Sequence, residues 1–181
     1  MPEPDPALII AARVMGTFLF ALSACHHIRD RAGLEAVMEG YQLLPRRGVG
    51  FAAVLLMFLE ASIAFSLASG FFLWVGAVAA VGLLGAFAAA ITVNLLRGRS
   101  DIDCGCSWGS GGKGLSWMLV LRNVLLAGLL SIAMLKTQAV PNIVQWIDGV
   151  GAGIGAILAY YIAGELRALS QARQQMRRRR G

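Results

Sequence analysis

The sequence predicts an all-α protein: a polytopic transmembrane bundle of about five spans with one amphipathic helix at the membrane interface. Three observations carry this. Of 181 residues, 57% are hydrophobic and 14% charged, and the mean hydropathy is +0.68, values foreign to ordinary soluble domains. The apolar residues gather in five runs, each near the roughly 20 residues that a helix needs to cross a bilayer core. Fourteen of the sixteen lysines and arginines stand outside those runs.

The first run covers residues 7–25. It follows Met1-Pro2-Glu3-Pro4-Asp5-Pro6, which has no basic stretch, and no small-residue cleavage site comes after the run, so the span is expected to be retained. Residues 34–44 come next. Leu34, Val37, Met38, Tyr41 and Leu44 recur at helical spacing, with Glu35, Glu39 and Gln42 turned elsewhere, the pattern of an amphipathic helix, here ended by Pro45. Residues 50–69 and 71–96 form the second and third spans. Only Ser69-Gly70 joins them, so they pair tightly and antiparallel. Residues 115–135 form the fourth span. The fifth, residues 143–166, is rich in glycine and carries Asp148. Gly76, Ala79, Ala80, Gly82 and Gly85 in the third span, and Gly149, Gly151, Gly153 and Gly155 in the fifth, are small residues of the kind that let helix backbones approach in lipid. Residues 1–166 are read as one bundle and residues 167–181 as a basic tail.

Charge sets the expected orientation. Arg29, Arg31, Arg46 and Arg47, then Arg97, Arg99 and Lys113, then the tail arginines all fall on one face if there are five spans, leaving Lys136 on the other. The positive-inside tendency then places the N-terminus outside and the C-terminus in the cytoplasm of a bacterial inner membrane. The net charge of +6 is thereby explained by topology and lipid contact. Nucleic acid is not expected, because the basic residues flank apolar spans and are not interleaved with aromatics on a soluble face.

The chemistry-bearing motif is Asp103-Cys104-Gly105-Cys106 in the loop between the third and fourth spans. A pair one residue apart closes only into a small, strained disulfide, and strained disulfides are the more oxidising, exchange-prone ones. Parity puts Cys25, His26 and His27 on the same membrane side. Cys104, Cys106, His26 and His27 are therefore an alternative soft-metal set, although their spacing matches no standard zinc pattern. Cys25 reads as a buried small hydrophobe, and the two histidines as interfacial polar residues. No phosphate loop, His-Glu-x-x-His, CxxC or triad-like cluster is present, so catalysis without Cys104 and Cys106 has no candidate. A bland pair of thiols in a non-catalytic membrane scaffold is the third reading.

Ionisable residues inside spans are costly and face partners or cavities. Arg13 and Asp148 fall at similar depth and are expected to pair. Glu60 lies near mid-membrane and Arg122 between it and the cysteine face, so these two can meet, either as a structural pair within the bundle or lining a pocket for protons or a quinone beneath the thiols.

Several pieces of the chain resemble the methylamine-utilisation MauE family, a DoxX-like group of small membrane proteins. They are Leu43-Leu44-Pro45 after the amphipathic segment, the glutamate inside the second span, and the exit Asn94-Leu95-Leu96-Arg97-Gly98-Arg99. Most specific are Asp103-Cys104-Gly105-Cys106 and Leu121-Arg122-Asn123. The resemblance implies a membrane thiol-redox accessory with Cys104 and Cys106 as the redox pair. It would assist maturation of an exported methylamine dehydrogenase subunit, working with a thioredoxin-like partner.

Overall fold

The structure, a computed structural model, describes residues 4–99, 114–135 and 140–180. Those residues form six α-helices and one 3₁₀ turn, with no strand among them. Helix α1 is Pro6–Arg29, α2 Arg31–Tyr41, α3 Arg46–Ser69, α4 Leu73–Leu96, α5 Trp117–Ser131 and α6 Ile143–Arg180; the 3₁₀ turn, Ile132–Met134, extends α5. Five of these segments, Pro6–Arg29, Arg46–Ser69, Leu73–Leu96, Trp117–Met134 and Ile143–Gly164, are long and apolar enough to cross a membrane.

The helix starts and stops follow from local chemistry. The Asp5 carboxylate accepts from the Ala7 amide at 2.9 Å, with Pro6 in the first turn, where its missing N–H costs nothing. Asp30 closes α1 and also caps α2, accepting from Gly33 N at 3.0 Å. Helix α2 stops at Tyr41 because Gln42 turns left-handed (φ 50°). Pro45, expected to end that helix, instead precedes α3 as its N-cap; extended backbone before the first turn is where proline fits. The turn between α3 and α4 reverses through Gly70 at φ 76°, a conformation that glycine adopts without steric penalty.

The outer surface is apolar. On α3, Phe51, Phe58 and Phe65 recur every seven residues and are 75%, 71% and 68% exposed, a stripe that only lipid covers comfortably. Inside, Met15, Phe20, Ile63, Leu67, Leu84, Leu126 and Leu130 build the main core. A smaller cluster docks α2 onto the first half of α3 through Leu34, Ala53 and Leu56, with Met38 against it.

Helices α1 and α6 run parallel and touch backbone to side chain. A Cβ at Gly149 would stand 2.7 Å from Ile10 Cβ and 2.8 Å from the Ala7 carbonyl, and one at Gly153 2.7 Å from Val14 Cβ and 2.8 Å from the Ala11 carbonyl. Gly151 and Gly155 have nothing within 4 Å of such a Cβ, and neither do Gly82 and Gly85 on α4. Only part of each small-residue stripe is therefore packing surface.

The expected Arg13–Asp148 pair is not formed. Arg13 Nε donates instead to the Leu67 carbonyl at 3.2 Å, in the last turn of α3, where unsatisfied carbonyls and the helix dipole attract a cation. Asp148 is exposed on the outer side of α6, one position before the glycine that meets α1.

Candidate functional site

Ser23 and His27 stand four residues apart on α1, hence on one face and one turn apart. Both reach across to Glu60 on α3. Ser23 Oγ donates to Glu60 Oε1 at 2.8 Å, and His27 Nδ1 lies 2.8 Å from Glu60 Oε2. With the carboxylate ionised, Nδ1 must carry the hydrogen and donate it, which fixes the ring orientation and tautomer. His27 is 4% exposed and Glu60 1%. A buried carboxylate is tolerable only when paired and hydrogen-bonded, and here each oxygen has its own donor. The partner that pairs with Glu60 is thus His27, where the sequence suggested Arg122; the choice is set by the rotation of α1 and α3, which put the Ser23 and His27 face directly opposite the acid.

Arg122 nevertheless belongs to the same place. A partly open cavity of about 60 Å³ is bordered by Ser23, His26, His27 and Glu60 on one side of the bundle core, by Arg122 and Asn123 of α5, and by Tyr160 and Tyr161 of α6; Leu22, Leu84, Phe87 and Leu126 supply apolar wall. The Arg122 guanidinium sits over the Tyr160 ring, 5.9 Å from its centroid, within cation–π range. The two tyrosine rings meet edge to face, with centroids 5.3 Å apart at 83°. Asn123 is buried, its Nδ2 donating to the Leu119 carbonyl at 3.0 Å.

This cavity lies in the half of the bundle nearer the cysteine loop. Arg122 follows the first residue of α5 by five positions, about 8 Å of helix rise, and Leu84 stands at the middle of α4 with Phe87 in its second half. The loop's first root is tied down as well, since Arg99 donates to the Gly40 carbonyl at the end of α2 at 3.1 Å. Cys104 and Cys106 themselves lie outside the described residues. Cys25 is exposed and not buried as the sequence suggested: Ala24 and His27 take the inward face of that turn, leaving Cys25 outward. The His26 and His27 rings are 5.7 Å apart and tilted by 46°; among the described residues, no group of three or more His, Cys, Asp or Glu is placed to hold a metal ion.

Glu60 and Arg122, which the sequence suggested as pocket-lining residues, both border this cavity; the sequence did not point to Ser23 or to the inward position of His27. The available signal was a serine and a histidine at i, i+4 near the end of a span, opposite a span that carries an acid.

The family model described as Methylamine utilisation protein MauE matches residues 5–136. The chain is 36% identical over 170 residues to the Methylamine utilization protein MauE of Paracoccus denitrificans, covering 93% of this chain and 91% of that one. It is 33% identical over 167 residues to the protein of the same name from Paracoccus versutus, covering 91% and 90%. Over 123 residues it is 33% identical to that of Methylorubrum extorquens, covering 68% and 66%. No solved structure matches. A family match spanning the first four membrane segments, together with relatives alike over nearly the full length, places the chain in the MauE family.

Proposed function

We propose that this chain serves methylamine utilisation as a multi-pass thiol–disulfide accessory of the bacterial inner membrane, with Cys104 and Cys106 as its exchange pair. Its client is an exported amine dehydrogenase subunit and its working partner a thioredoxin-like protein. In the exchange, a client thiolate attacks one sulfur of the Cys104–Cys106 disulfide and that bond breaks. The second client thiolate resolves the mixed disulfide, so the client gains an S–S bond and Cys104 and Cys106 leave as thiols. Two electrons and two protons have moved.

The observation that supports this reading is the buried Ser23–His27–Glu60 cluster beside a cavity, in the half of the bundle from which the cysteine loop emerges. Thiol chemistry needs proton acceptors, and an acid–imidazole pair held inside an otherwise apolar bundle is an expensive feature to keep for packing alone. Residues 1–166 act in this reading as one bundle and residues 167–181 as its basic tail.

Growth on methylamine tests the proposal. Cys104→Ser and Cys106→Ser should each abolish it and trap different mixed disulfides with client or partner, while Cys25→Ser grows normally. Normal growth of either loop variant overturns it. Direct exchange with an exported client requires the loop to be reachable from outside, whereas the arginine distribution orients it inward. Labelling of Cys104 by an impermeant maleimide in intact cells separates direct exchange from exchange with a cytoplasmic thiol partner.

A further inference from the structure

The cavity beside Glu60 has the size and the wall of a site for a small cluster of water. One buried water needs about 10–15 Å³ of such space, so about 60 Å³ holds roughly four to six. Water inside a protein also needs polar partners, and four helices supply them: His26 and His27 from α1, Glu60 from α3, Arg122 from α5, and Tyr160 and Tyr161 from α6. Helix α4 brings only the apolar Leu84 and Phe87. Toward the α3–α4 turn the bundle is closed. Met15, Leu67 and Leu130 are 3% exposed or less there, and a Cβ at Gly16 would stand 2.6 Å from Leu130 Cδ2 and 2.8 Å from Leu67 Cδ1. Apolar packing of that density has no room for a chain of water. The polar wall therefore continues only toward the end where α1 finishes and α5 begins, the end that carries the cysteine loop.

We propose that this cavity is a hydrated proton port, open to the loop end of the bundle alone, through which the His27–Glu60 pair takes up and releases one proton. An imidazole hydrogen-bonded to a carboxylate is built for such a transfer. A hydronium ion in the cavity gives one proton to His27 and becomes water. The imidazole passes its Nδ1 hydrogen across the 2.8 Å contact to Glu60 Oε2, which leaves a neutral ring and a protonated carboxyl; release runs the same steps backward. Ser23, donating to Glu60 Oε1 at 2.8 Å, holds the carboxyl in line with the ring through both states. The purpose of the port rests on the thiol-redox reading, since forming the Cys104–Cys106 disulfide from two thiols releases two protons at that end of the bundle. Its geometry does not rest on that reading.

The experiment is infrared difference spectroscopy of the full-length protein, reconstituted into sealed liposomes in one orientation through a C-terminal tag, while the external buffer is stepped from alkaline to acidic. With the loop end outside, the step is expected to raise the carbonyl band of a protonated carboxyl at once; the band shifts in heavy water and is missing from Glu60→Gln. With the loop end inside, the same step should raise no band until a protonophore is added. Leu22→Trp, which puts a large ring into the cavity, should lose the fast response, and the smaller Leu22→Phe should slow it, each checked for an unchanged unfolding midpoint. The double variant Cys104→Ser, Cys106→Ser should respond like the parent, so failure of the thiol-redox proposal would leave the band unchanged and the two proposals fail separately. A carboxyl band that never appears, a band retained by Glu60→Gln, an equal response in both orientations, or a response undiminished in both cavity-filling variants overturns the port.

Discussion

Helix α1 meets its neighbours in two different ways along its length. Its first half lies against Gly149 and Gly153 of α6, so close that a single added carbon would collide with backbone carbonyls. Its second half, from Leu19 to His27, faces a cavity held open by Tyr160, Tyr161 and Arg122. The same two helices thus approach where the side chains are hydrogen atoms and stand apart where they are large and polar. Residue size sets the separation: glycines clamp the end of α1 next to Pro6, and that clamp leaves room at the other end for a buried acid and its partners.

Breaking the polar half should have the largest effect. Glu60→Ala removes the buried carboxylate that Ser23 and His27 both reach and is expected to cost about 3–5 kcal/mol, read as a shift in the unfolding midpoint in mixed detergent micelles. His27→Gln and Glu60→Gln together should cost less than the sum of the two single changes, because they share one interaction. The clamp should come next: Gly153→Val is expected to cost about 1–3 kcal/mol through overpacking against Val14 and the Ala11 carbonyl. Gly151→Ala on the same helix should change stability by no more than about 0.5 kcal/mol, since nothing lies within 4 Å of the added carbon. Equal effects at residues 151 and 153 would show that α6 is rotated from the orientation described.

Smaller still is the capping contact. Arg13→Gln removes a charged donor from the Leu67 carbonyl and should cost about 1.5 kcal/mol. Asp148→Asn should be close to silent, and the two changes should add within about 0.5 kcal/mol, as for independent sites. A strong coupling between them would restore the pairing that depth alone suggested.

The spans were legible in the sequence because their signal is local: about 20 apolar residues bounded by arginines, or Leu34 and Met38 at helical spacing, need no knowledge of neighbours. Depth was legible too, which is why Glu60 and Arg122 were brought to one place. What one sequence does not encode visibly is rotation. Whether Glu60 meets Arg122 or His27 depends on which face of α1 and α3 turns inward. Gly149 and Gly151 differ by two residues, about 200° around a helix, and so fall on opposite sides despite identical chemistry. The partner of Arg13 is a backbone carbonyl, which no side-chain pattern announces.

The most direct measurement on the central claim is a redox titration of the purified full-length protein, with free thiols counted by alkylation mass shift across a series of glutathione buffers. A single two-electron transition confined to Cys104 and Cys106, unchanged by Cys25→Ser, is the expected result. Thiols that stay reduced across the whole series, or that resist alkylation until a chelator strips a metal ion, would contradict a redox role for the pair.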